Sequence, residues 1–120
     1  MAESGRATRT AIWILSGLLA ALFLFAGIPK ILGIGEVGQH FAEWGYPAWF
    51  RILIGATEVG GGIGLLISGV AFYAAGALGV VMIGAIYTHL TTGAPGVAVP
   101  IVCLLLLGVI AYLRGSSDRG

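Results

Sequence analysis

Charge is what this sequence has least of. Charged residues make up 9% of its 120 positions, against about 25% in an ordinary soluble domain. So few cannot coat a water-facing surface, which excludes a soluble globular enzyme and a disordered tail. Six Lys and Arg stand against five acids, for a net charge of +1. No basic stripe is available for nucleic acid. Cysteine is nearly absent: Cys103 stands alone in an apolar run. An intrachain disulfide, a CxxC redox pair and a cysteine-based zinc or iron–sulfur site are therefore excluded. No metal site is expected. Internal repeats and low-complexity linkers are lacking too, so residues 1–120 read as one domain.

What is present is apolar surface. Hydrophobic residues reach 58% and mean hydropathy is +1.03. Four apolar stretches stand out, at approximately 10–32, 50–68, 72–90 and 97–113. Each is long enough to cross a bilayer with some tilt. None shows the alternation of a barrel strand, and a helix satisfies its own backbone in lipid. The expected fold is all-α: a polytopic membrane protein built as an antiparallel four-transmembrane-helix bundle. The first stretch follows Arg6 and Arg9 as a signal peptide would, but its apolar core outruns a usual signal core and continues through Pro29 to Leu32, so it reads as a retained span. Pro29 should kink or end that helix nearby. The polar ends, Met1–Arg9 and Gly115–Gly120, are expected to fray.

The connections differ. Gly69–Ala71 and Thr91–Gly96 are short and uncharged, as between antiparallel neighbours. Residues 33–49 form a longer loop with Glu36, His40, Glu43, Phe41, Trp44, Tyr46 and Trp49. Phe41, Trp44 and Ala48 lie near helical spacing, so a short amphipathic outer helix broken at Pro47 is expected. It reads either as an interfacial anchor or as a lid over a ligand. Arg6, Arg9, Arg114 and Arg119 sit at the termini, whereas the loop side has only Lys30 and Arg51, at span edges. The positive-inside rule then places both termini in the cytoplasm, of a bacterial cytoplasmic membrane, with the loop outside.

Small residues recur at helical spacing: Gly60 with Gly64, Ala75 with Gly79, Gly17 with Ala21. In lipid such faces let helices approach closely. They serve packing, or else line a cavity for a flat hydrophobic ligand. The fourth stretch is leucine-rich and is expected to face lipid more than the others.

Ionisable side chains inside spans mark function or pairing. Glu58 is the clearest, and it needs to be protonated or paired. Arg51 lies seven residues earlier, about two turns or 10 Å along one face. Because spans alternate in direction, Lys30, Arg51, Glu58 and His89 converge in the outer half. Lys30 is the best-placed partner for Glu58, then His89, then Arg51. This set is either a structural ion pair that fixes helix register or a polar pocket for a quinone or lipid headgroup. A haem held by His40 and His89 has neither spacing nor motif behind it.

At these residues the chain resembles the DoxX family. The matching elements are Phe25-Ala-Gly-Ile-Pro-Lys30, Gly45-Tyr-Pro-Ala-Trp49, Gly55-Ala-Thr-Glu58 with Gly60-Gly61 and Leu65-Leu66, and Met82-Ile-Gly-Ala85 leading to His89. The resemblance implies a four-helix membrane bundle with Lys30, Glu58 and His89 as the family's polar positions and Arg51 as a weaker counterpart. Family members include a subunit of an archaeal thiosulfate:quinone oxidoreductase and partners of superoxide dismutase and a sulfurtransferase in oxidative-stress defence. More distant eukaryotic relatives resemble chaperones for membrane receptors. The expected function is a membrane subunit or partner of a redox system, with quinone as the candidate cofactor and a homo-oligomer or redox protein as partner. With no cofactor motif, a stand-alone enzymatic activity is not expected. A non-catalytic assembly scaffold is the alternative, and a small proton-coupled transporter a third reading. The latter's glutamate usually lies in the first helix, not the second.

Overall fold

The structure, a computed structural model, describes residues 2–119. Five helices follow one another: α1 (Ala2–Leu32), α2 (Val37–Glu43), α3 (Ala48–Gly64), α4 (Ala71–Thr92) and α5 (Ala98–Arg119). Among the described residues there is no strand. Two helical segments, Gly5–Leu32 and Ala71–Thr92, are long and apolar enough to cross a membrane. The helix of α3 and the apolar part of α5, Ala98–Arg114, are shorter.

The polar tails were expected to fray, yet α1 begins at Ala2 and α5 runs on to Arg119. Each tail continues a long helix already nucleated by the apolar run, so extending it costs little. In the opposite sense, α3 stops at Gly64, short of residue 68, and a run of turns carries the chain to α4. Pro29 lies within the last turn of α1, and its carbonyl accepts the N–H of Gly33 at 2.7 Å. Gly33 then leaves the helix at φ +68°, a conformation that a side chain would disfavour.

Helix α1 packs along α3 and α4 along α5, and the two pairs join mainly through α3 and α4. Neighbours run in opposite directions: Gly27 meets Gly55 while Gly62 meets Ala20, and Gly61 meets Leu78 while Gly64 meets Ala74. Contact between α1 and α5 is thinner. The core comprises Leu19 and Phe23 of α1, Leu65, Leu78 and Met82 on the α3–α4 side, and Cys103, Leu107 and Ile110 of α5. Helix α5 is thus not simply a lipid-facing helix: every third or fourth residue from Cys103 to Arg114 is buried, while Val102, Leu105, Val109 and Tyr112 remain exposed. Every long helix carries exposed large apolar side chains, from Phe25 to Tyr73 and Leu90. Such an exterior suits hydrocarbon rather than water.

The glycines that permit the closest approach are not all those singled out by spacing. A Cβ on Gly27 would lie 2.7 Å from the Gly55 carbonyl oxygen, and a Cβ on Gly55 equally close to that of Gly27. Gly64 does face Ala74, and Ala75 is buried, while Gly79 has only an ordinary contact with Leu104. A Cβ on Gly60 or Gly17 would meet nothing within 4 Å, so neither is a point of close approach between the helices of this chain. Spacing alone picked a helical stripe but not which stripe turns inward.

Candidate functional site

The thin α1–α5 contact leaves space inside the bundle at the α2 end. A cavity of about 640 Å³ opens there. Its walls are apolar: Leu22, Phe23 and Ala26 from α1, Ile54 from α3, Val80, Val81 and Met82 from α4, Val99, Pro100 and Cys103 from α5. Leu22 and Val99 line it and are also exposed, so the cavity reaches the bundle's exterior between α1 and α5.

The segment between α1 and α3 covers the cavity's end. Helix α2 is capped by Trp44, and Gly45, at φ +82°, reverses the chain into Tyr46-Pro47. That reversal turns Phe41, Trp44 and Tyr46 onto the cavity with His40 and Phe50. The rings form one cluster: Phe41 and Trp44 have centroids 5.6 Å apart, Phe41 and Tyr46 5.7 Å, Tyr46 and Phe50 5.0 Å. Tyr46 and Thr88 share a hydrogen bond of 2.7 Å that ties this cover to α4. Trp44 also lies near His89, with centroids 6.5 Å apart. Trp49, by contrast, points outward and is two-thirds exposed (66%).

One wall is polar. Glu58 lies opposite Gly27, where the absence of a side chain makes room for it. Its side chain is only 3% exposed, and Oε1 lies 2.7 Å from Lys30 Nζ. Oε1 is itself fully buried, and the Lys30 ammonium is what it meets. Lys30 folds back along α1 toward the Ala26 carbonyl (3.4 Å) instead of reaching for the end of the helix. His89 lines the same cavity, and its Nδ1 lies 2.7 Å from the Ala85 carbonyl oxygen. Lys30, Glu58 and His89 are therefore brought together around one space.

Arg51 is not part of it. Its Nε donates to the Lys30 carbonyl at 2.9 Å, and its guanidinium covers the Gly33 turn. It thus caps the carbonyl end of α1, where a cation is favoured. His40 lies at the cavity's mouth, 4.0 Å from Glu36. Among the described residues no group of three potential ligands could hold a metal ion. Of the hydroxyls around His89, Thr91 and Thr92 bond back to their own helix, Tyr87 is exposed, and only Thr88 reaches another element. Thr57 likewise bonds Leu53 of its own helix.

The sequence did not disclose the role of Arg114. It reads as a charge in a polar tail, yet it is buried. Its Nη1 donates to Ser16 Oγ and to the Leu65 carbonyl, both at 3.2 Å, and its guanidinium lies 4.6 Å from the Trp13 ring centroid. It joins α1, the end of α3 and α5 at the end of the bundle opposite the cavity. The available signal was the i, i+4, i+7, i+11 spacing of Cys103, Leu107, Ile110 and Arg114.

The DoxX-like family matches over residues 14–111. A curated relative, uncharacterized protein YdgD of Bacillus subtilis (strain 168), is 30% identical over 103 residues, covering 82% of this chain and 90% of its own. No solved structure matches. The chain belongs to the DoxX-like family.

Proposed function

We propose that this DoxX-like chain is a four-spanning membrane protein whose cavity holds the polar head of a quinone or lipid against Lys30, Glu58 and His89. It serves a redox or oxidative-stress system as a membrane subunit or partner, working with another protein or a second copy rather than alone. The observation that carries this reading is a buried ion pair forming one wall of an otherwise apolar cavity of about 640 Å³. Pockets for small molecules have this character, with mostly apolar walls and a few convergent polar groups.

Membrane placement draws on several features. Helix α3 has 17 residues, about 25 Å at the usual rise, which is at the short end of what spans hydrocarbon. With α1, α4 and the apolar part of α5 it supplies four spans. The aromatic cover then lies at the outer interface, where Trp and Tyr concentrate, and the termini lie in the cytoplasm.

Titration of the purified protein in detergent with short-chain ubiquinone and menaquinone analogues, and separately with short-chain phospholipids, tests the reading. Saturable binding of one class, weakened at least about tenfold in Lys30→Gln, is expected; that factor is the scale of one charge-assisted hydrogen bond from the ammonium to a ligand oxygen. No saturable binding, or binding unchanged in Lys30→Gln, would sink it.

A further inference from the structure

We infer that the ligand of this site carries a long hydrocarbon chain and is taken from the bilayer through the gap between α1 and α5, where that chain stays lodged. The inference rests on the ligand reading above and deepens it: it names the class of ligand, a membrane-dissolved amphiphile, and the way in. It follows from which sides of the cavity are bridged and which side is not.

The end toward α2 is walled by rings. Trp44, Phe41, Tyr46 and Phe50 form a chain of ring contacts, and Tyr46 is bonded to Thr88 of α4 at 2.7 Å. Passage there has to break that bond and part the rings. The same residues bridge the α3–α4 side. Val80, Gly84 and Tyr87 line the cavity and are exposed, but Tyr46 reaches across from Thr88 on α4 to the Phe50 ring on α3. Farther along, these two helices close up where Gly61 meets Leu78 and Gly64 meets Ala74.

The α1–α5 side differs. The hydrogen bond joining these helices, Arg114 to Ser16, lies at the opposite end of the bundle. Beside the cavity they present Leu22 and Ala26 on one side and Val99 and Cys103 on the other. Leu22 is 42% exposed and Val99 61%, so the rim of the gap is apolar and open. An exposed apolar rim suits hydrocarbon rather than water. Leu22 precedes Lys30 by two turns and more, about 12 Å along α1. A head held at Lys30 therefore has this gap alongside for its chain. Size argues the same way. A cavity of about 640 Å³ encloses a drug-sized molecule. A head group and a short stretch of chain fill it, and a longer chain has to leave through a wall. The α1–α5 gap is the exit that keeps the chain in lipid.

The experiment is photolabelling of the detergent-solubilised full chain with two probes, each carrying a diazirine at the end of its chain. One is decylubiquinone and the other a short-chain phosphatidylcholine. Labelled peptides are mapped with and without an excess of the same compound lacking the diazirine. Label that the excess removes reports the site, and label that persists reports general contact with the micelle. For at least one probe, removable label is expected on α1 and α5 at the rim, on Leu22, Val99 and their neighbours, and the probe that gives it identifies the head. In Val99→Trp, whose indole fills the rim, this label should be lost. In Leu105→Trp, on an exposed face of α5 outside the cavity, it should remain. Removable label confined to α2 or to residues 80–87 of α4, or rim label undiminished in Val99→Trp, would overturn the α1–α5 path and leave the ligand reading standing. No removable label from either probe would remove the ligand reading and this inference with it.

Discussion

Glu58 is legible in the sequence because a lone carboxylate in an apolar run must find a partner or a proton. Lys30 is legible as that partner because alternating spans bring both to one side. The structure sets them 2.7 Å apart. Removing one member of a buried pair strands the other, at a cost of about 3–5 kcal/mol, whereas replacing both with apolar residues is often close to neutral. Lys30→Met is therefore expected to destabilise the protein strongly, and Lys30→Met combined with Glu58→Leu much less than the two single changes added. A thermodynamic cycle on unfolding in detergent measures this, and additive effects would show that the pair is not coupled. Arg51 and Arg114 were less legible for one shared reason. A long side chain at a helix edge can turn either way, and what it meets depends on a neighbouring helix. Arg51 found the carbonyl end of α1, and Arg114 found Ser16 and the end of α3.

Among the elements, the α1–α3 pair has the most consequence, because its closeness sets where Lys30 meets Glu58. At its centre Gly27 and Gly55 each approach the other's carbonyl. A methyl group at Gly55 would have to push backbone away, and such overpacking costs about 1–3 kcal/mol. At Gly60, in open space, alanine should be neutral or gain up to about 1 kcal/mol from helix propensity. Melting of Gly55→Ala and Gly60→Ala in detergent should therefore shift in opposite directions or, at the least, only the first should fall. A loss at Gly60 as large as at Gly55 would contradict the packing described. The long helices were readable from hydropathy, and the short α2 from its aromatic spacing. Which glycine face turns inward was not, because small-residue spacing is the same on every stripe of a helix. The inward turn of Phe41, Trp44 and Tyr46 depends on the reversal at Gly45, so anchor and cover could not be told apart by spacing.

At the scale of the whole molecule, the two ends of the bundle differ. Arg114 ties three helices together at the end carrying the termini, while the cavity lies beneath the aromatic cover. If four helices span, the cover lies outside and the termini inside. In a Cys103→Ser background, an impermeant maleimide applied to intact cells should label Glu36→Cys and not Gly5→Cys; the reverse pattern would invert the molecule. Low total charge identified the kind of protein, but the distribution of charge, one pair around one cavity, carries the functional reading. That reading is tested most directly by the protein's single cysteine, Cys103, which is buried and lines the cavity. The measurement is its rate of alkylation by a lipophilic maleimide, with and without a quinone analogue or short-chain lipid at a concentration that saturates binding. An occupant of the cavity must slow the reaction several-fold, and a rate unchanged under saturation would place the ligand elsewhere and contradict the account.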